Sequence, residues 1–314
     1  MTRGQARAYF LPREGLEETG KSEAHEAIAA YSQAIRLRPD YAEAYNNRGN
    51  VWSNLGQFEE AVADYDQAIY LKPDLADAYI NRGNSKAALQ QFQEAIADLG
   101  KAVQIRPDDA FAFVNRGLLM VDFGHYEDAI EDFDAAVNIQ PDDAKIFFRR
   151  GSAKAKLDRF QDAIADFSEA VGLDGEYAEA YNSRGLAKVA LGQYEAAVAD
   201  YTQSIRLQPA YASAYNNRGV AQAKLGRLGA AVGDYDEAIR LQPESAEPFY
   251  NRGNAKERRG EYEEAIADYD QAILRQPDDV DAYKNRAVAK AVLGRTAEAR
   301  ADFEVALEIA ARGR

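Results

Sequence analysis

The chain has 314 residues, 46% of them apolar or aromatic, and its 52 acidic against 38 basic side chains leave a net charge of −14. That apolar fraction belongs to a folded chain, and the acidic balance argues against nucleic acid and anionic membrane as partners. With no cysteine and only two histidines, far apart, thiolate sites, disulfides and a histidine metal cluster are excluded, and no cofactor is expected.

The N-terminal stretch MTRGQARAYFLPRE lacks the apolar core of a signal peptide, and no run approaches a membrane span, so a soluble, cytoplasmic protein is expected. Residues 1–41 read as a degenerate N-terminal repeat or cap. From Ala42 the sequence returns on itself every 34 residues without insertion, in eight copies: 42–75, 76–109, 110–143, 144–177, 178–211, 212–245, 246–279 and 280–313. With the worn segment as repeat 1, these are repeats 2 to 9.

Each copy predicts helix, turn, helix. Position 4 is always aromatic (Tyr45 to Tyr283), and position 8 is glycine from Gly49 to Gly253, then Ala287. Position 20 is always alanine, position 27 is alanine except Ser204, and position 24 is aromatic except Leu99. Small residues let two helices approach while the aromatics fill the space beside them. Pairs such as Leu55-Gly56 end the first helix, and a proline at position 32, followed usually by an aspartate expected as the next cap, ends the second. One such hairpin cannot bury its apolar face without neighbours.

These residues resemble the tetratricopeptide repeat over most of the chain. The resemblance implies an all-α, right-handed superhelical solenoid. Two departures are systematic. Arg replaces the family's leucine at position 7, from Arg48 to Arg286, and lysine replaces an aromatic at position 11 in five copies. Because Asp stands at position 23 in the same eight copies, Arg and Asp are expected to pair across the two helices of one repeat, mainly as scaffold. The worn copy, with Glu14 and Ala30 there, lacks both.

The resemblance also implies a groove lined by positions 2, 5, 6, 9, 12 and 13 of the first helices. Position 6 is Asn47, Asn81, Asn115, Asn217, Asn251 and Asn285, interrupted by Arg149 and Ser183. An amide both donates and accepts, so it can hold a peptide unit. The row is similar to the asparagine ladder of O-linked N-acetylglucosamine transferases, though the catalytic domain of those enzymes is not expected here. The alternative is that these amides bond between helices.

Repeat 4 turns its groove positions apolar (Phe111, Val114, Leu118, Val121), and repeat 5 brings Lys145, Phe148, Arg149 and Lys156. Lys145 and Arg149 are one helical turn apart and share a face. Asn84, Asn115, Lys145 and Arg149 fall in the order of the family's carboxylate clamp, with Ile80 where that clamp has lysine. The expectation is therefore a non-catalytic adaptor whose groove binds an extended protein or peptide segment, with an acidic residue or free C-terminal carboxylate near repeats 3 to 5. The rival is a structural protein assembling through its ends and convex face. Val305 and Ile309 have no following helix, so this edge is expected to stack on another molecule, a homo-oligomer included. No nucleophile, acid–base pair or metal constellation supports an enzyme.

Overall fold

A computed structural model describes residues 18–312, with side chains from residue 22 onward. The start of the first repeat, Glu14 included, lies outside the described residues. The described residues form helices and no strand, in two compact units divided after Asp158.

In the first unit, α1 (Glu18–Leu37) packs on the first of three helix hairpins: α2 (Ala42–Asn54) with α3 (Phe58–Leu71), α4 (Ala76–Ala88) with α5 (Phe92–Ile105), and α6 (Ala110–Asp122) with α7 (Tyr126–Ile139). Helix α8 (Ala144–Lys156) packs on α7. In the second, α9 (Phe160–Leu173) precedes α10 (Ala178–Ala190) with α11 (Tyr194–Leu207), α12 (Ala212–Lys224) with α13 (Leu228–Leu241), α14 (Ala246–Arg258) with α15 (Tyr262–Arg275), and α16 (Val280–Val292) with α17 (Thr296–Arg312). Within each unit, every second helix also packs on the first helix of the next repeat. Each unit is thus an all-α stack of tandem helix hairpins.

Its core is the small-plus-aromatic pattern seen in the sequence. Ala61, Ala68 and Tyr65, with their counterparts in repeats 3 to 8, are buried almost completely. The position-8 glycine is required by close approach: a Cβ on Gly49, Gly185 or Gly219 would stand 2.6 Å from the ring of Tyr65, Tyr201 or Tyr235. In repeat 9 a methyl occupies that place on Ala287, and its ring, Phe303, is 41% exposed.

The turns also have a steric cause. Gly56, Gly124, Gly192, Gly226, Gly260 and Gly294 all take positive φ, which glycine reaches without a Cβ penalty. The aspartate expected as the cap is not the cap residue. The N-cap lies one position later, and its side chain accepts from the helix only at Asp109, Asp143 and Asp279. Asp40 instead sits inside the turn, where its carbonyl accepts from the Ala42 amide.

Candidate functional site

The Arg–Asp pairs form. Arg48 Nε and Nη2 donate to the two oxygens of Asp64 at 2.8 and 2.6 Å, a bidentate fork. Arg82–Asp98, Arg116–Asp132, Arg184–Asp200, Arg218–Asp234, Arg252–Asp268 and Arg286–Asp302 repeat it. Lys86, Lys188, Lys256 and Lys290 add a second cation to the same carboxylate at 2.7–2.8 Å. The remaining arginine nitrogen reaches back one repeat, to Asp66 from Arg82, to Asp134 from Arg150 and to Asp270 from Arg286. Each of these guanidinium groups also lies 5.2–5.9 Å from the centroid of its own position-4 ring. These contacts engage the arginine within the scaffold.

The rungs are not equal. At Asp302 burial acts to raise the carboxyl pKa, but the bonds from Arg286 and Lys290 outweigh it and hold the group below its ordinary value. Asp132 has Arg116 alone, because Met120 stands in place of the lysine, and burial prevails over that one partner and raises its pKa.

The position-6 asparagines serve a seam between repeats. Asn81, Asn217 and Asn251 each donate from Nδ2 to the Oδ1 of Asn46, Asn182 and Asn216, the position-5 residue of the preceding repeat, at 3.0–3.2 Å. Asn285 donates to Asn254 Oδ1 at 2.9 Å and to Tyr250 Oη at 3.2 Å. Asn47 is exposed and accepts from Asn46. Asn115 is buried and turns back to the Phe111 carbonyl at 2.8 Å, because Ile80 offers no acceptor at the seam. Asn84 and Phe148 are half-buried. Position 5 is thus largely an interior place, not an open groove position: Ile80 is only 2% exposed and Val114 is buried with it. A position-5 asparagine takes part in the seam because its partner follows 35 residues later; the Asn-Asn dipeptides at 46–47 and 216–217 were the sequence signal for it.

Repeats 4 and 5 differ from this pattern within the first unit. Arg149 occupies the seam position, yet the preceding position 5 is Val114, which accepts nothing. Arg149 is half-buried, Lys145 and Lys156 are exposed, and none of the three joins an ion pair among the described residues. Nearby in sequence, Phe111 is 59% exposed and Leu118 and Val121 are half-buried. Phe111 also borders an open recess of about 470 Å³ with Arg106, Asp109, Ala110 and Ile139. A second recess, of about 250 Å³, is wholly polar and aromatic: Asn50, Ser53, Asn54, Tyr65 and Asn81. There the Tyr65 hydroxyl donates to Asn50 Oδ1 at 2.9 Å.

At the C-terminal edge, Val292 is 57% and Leu307 70% exposed, Val305 is exposed and Ile309 is half-buried. Among the described residues no helix is long and apolar enough to cross a membrane, and no group of three or more histidine, aspartate or glutamate side chains is placed to hold a metal ion.

Tandem helix hairpins, locked by a repeating ion ladder and presenting a variable face of first-helix residues, define a helical repeat scaffold. The chain belongs to the tetratricopeptide repeat family. Tetratricopeptide repeat models match residues 42–75, 76–109 and 212–245, and also 114–181 and 250–313, and a TPR repeat model matches 17–56 and 185–226. That membership makes it a protein-interaction scaffold. Among solved structures it resembles YrrB, a TPR protein with an unusual peptide-binding site, with 25% identity, 59% of this chain and 95% of that one covered, and a TM-score of 0.53. MamA is 27% identical over 52% of this chain and 95% of its own, with a TM-score of 0.50. A tetratricopeptide repeat protein from Parabacteroides merdae, 18% identical, covers 79% of this chain and 98% of its own with a TM-score of 0.58, a likeness of fold alone. No curated protein sequence matches the chain.

Proposed function

We propose that this scaffold is an adaptor that holds an extended peptide segment along its first-helix face, with an acidic side chain or C-terminal carboxylate of that segment at Lys145 and Arg149. One observation carries the reading. In a chain of net charge −14, whose repeat arginines are engaged by scaffold carboxylates, Lys145, Arg149 and Lys156 have no ion partner among the described residues and follow, one repeat on, the apolar first-helix positions of repeat 4. Such a group attracts a carboxylate by charge and by directed N–H donors, and those positions take the flanking apolar side chains. Asn81, Asn217 and Asn251 commit one N–H to the seam and keep an Oδ1 that can accept a backbone N–H of the segment. The peptide-binding description of YrrB agrees with this use of the fold.

The test is fluorescence anisotropy with acidic-ended peptides, carrying free or amidated C-termini, against the native chain and a Lys145→Ala, Arg149→Ala double variant. Binding that weakens at least about tenfold in the double variant supports the reading; equal binding overturns the placement of the site. A second reading, assembly through the C-terminal edge, is favoured by the exposure of Val292 and Leu307. A monomeric mass by light scattering at high concentration would remove it.

A further inference from the structure

The second unit contains a polar cluster that the ion ladder does not explain. In repeat 8 the Tyr269 hydroxyl lies 2.6 Å from Glu257 Oε2 and 2.9 Å from Asn254 Oδ1. Asn285 Nδ2 donates both to Asn254 Oδ1 and to Tyr250 Oη. The Tyr250 and Tyr269 rings stand 6.2 Å apart, centroid to centroid, at a tilt of 51°.

Counting donors and acceptors shows what is missing. One hydroxyl proton serves both Glu257 and Asn254, and the Asn285 amide serves Asn254 and Tyr250. Among the acceptors, the second carboxylate oxygen of Glu257 and the Asn285 Oδ1 are left over; among the donors, the Asn254 amide N–H groups and the Tyr250 hydroxyl proton, none of which is a cation. Neighbouring cations are engaged elsewhere. Lys256 holds Asp268 at 2.7 Å, Arg252 holds Asp268 and Asp236, and Arg258 donates to the Ala223 carbonyl at 2.9 Å. Glu257 is therefore a half-buried carboxylate with a hydroxyl donor and no cation among the described residues. Leaving a partly desolvated charge without a counter-ion is unfavourable.

The fold does not call for a carboxylate here. The same position is Ser53, Ala87, Val121, Ala155, Val189, Ala223 and Ala291 in the other repeats. In repeat 2 the matching residues Asn50, Ser53, Tyr65 and Asn81 line the open polar recess, and Tyr65 finds its acceptor in Asn50 without help from an acid. Repeat 8 is that arrangement with a carboxylate in place of the serine hydroxyl and a tyrosine ring, Tyr250, beside it.

We propose that Glu257, Asn285 and Tyr250 form a subsite for a basic side chain, a lysine ammonium or arginine guanidinium, of the bound segment. The inference rests on the peptide-binding reading and extends it, since it names a basic residue of the ligand as well as an acidic one. Carboxylate and amide oxygens receive the N–H donors, next to the half-buried Tyr250, whose ring packs on the core.

The direct test uses small probes, so that it does not depend on finding the natural peptide. N-acetyl-lysinamide and N-acetyl-argininamide are titrated into the full chain, with N-acetyl-norleucinamide as the uncharged control. The side-chain amide NMR signals of Asn254 and Asn285 are followed. Saturable shifts from the two basic probes only, weakened about fivefold or more in Glu257→Gln, are expected; the glutamine keeps an acceptor for Tyr269 while it removes the charge and turns the second oxygen into a donor. Equal shifts from norleucinamide, no shifts at all, or no effect of the substitution would overturn the subsite. A separate arm compares peptides carrying lysine or norleucine. If the small probes behave as expected and no acidic-ended peptide binds, the adaptor reading fails while the subsite stands. If peptides bind equally with lysine or norleucine, the subsite fails alone.

Discussion

Repeats 4 and 8 build the same hairpin from different interactions. In repeat 8, Arg252 grips Asp268, reaches back to Asp236, and shares Asp268 with Lys256. In repeat 4 the lysine is Met120, and the residue that would receive the backward contact is Gly100, so Arg116 holds Asp132 alone. The outward faces differ as well: Asn254 and Glu257 in one, Leu118 and Val121 in the other. The small-and-aromatic core is common to both, with Ala129, Phe133 and Ala136 buried in repeat 4 and Ala265, Tyr269 and Ala272 in repeat 8. The packing of the hairpin tolerates loss of two ladder contacts, and the outward residues of the first helix vary while the core stays the same.

The largest way to break that contrast is to remove the shared carboxylate. Asp268→Ala strands Lys256, leaves Arg252 with Asp236 alone, and is expected to cost about 3 to 4 kcal/mol, measured by urea denaturation at neutral pH. Asp132→Ala strands one cation and removes a carboxylate whose burial is incompletely compensated, so its loss should be clearly smaller. Equal losses would mean that the lysine contributes nothing.

A smaller effect should come from completing the repeat 4 ladder. Met120→Lys is expected to stabilise by about 1 kcal/mol at neutral pH. The sign of the pH dependence follows from the two aspartates. The folded pKa of Asp132 is raised, so its contribution is fully present in acid and declines as pH rises through that value. A second cation would move it to the situation of Asp302, whose folded pKa is lowered and whose contribution is present above the unfolded value and lost as pH falls through the folded one. The gain should therefore appear at neutral pH and vanish in acid, as thermal melts across pH would show. A gain that persists in acid would point to packing and not to the ion pair.

The smallest expected change is Gly100→Asp, which supplies the missing backward partner. The site has room: a Cβ there would meet only Arg116 Nη1, at 3.5 Å. Leaving glycine in a helix interior and gaining one partly exposed ion pair should together add about 0.5 to 1 kcal/mol in the same denaturation experiment. A loss of stability would show that Gly100 has a packing role of its own.

The helix hairpin, its glycine turns and the Arg–Asp pairing were legible because each repeats in register, and repetition exposes which residues must meet. The seam was harder to read. Asn81 and Asn46 are 35 residues apart and bond only because the next repeat places them together; a single repeat read alone suggests two groove residues. Position 5 was misleading for the same reason, since Ile80 is closed off by a neighbouring repeat. Glu257 attracted no notice in the sequence, being one acid in an acid-rich chain. Its lack of a cation emerges only when Lys256 and Arg258 are seen to be engaged elsewhere.

The period, the alternation of small and aromatic residues and the helix-ending glycines and prolines are local properties. By themselves they determined an all-α tandem fold, because sterics and apolar burial act identically in every copy. Which polar groups are consumed by the scaffold and which are left for a partner was decided by the tertiary structure. A hydrogen bond or ion pair depends on a few tenths of an ångström between residues from different repeats, and sequence periodicity carries no such information.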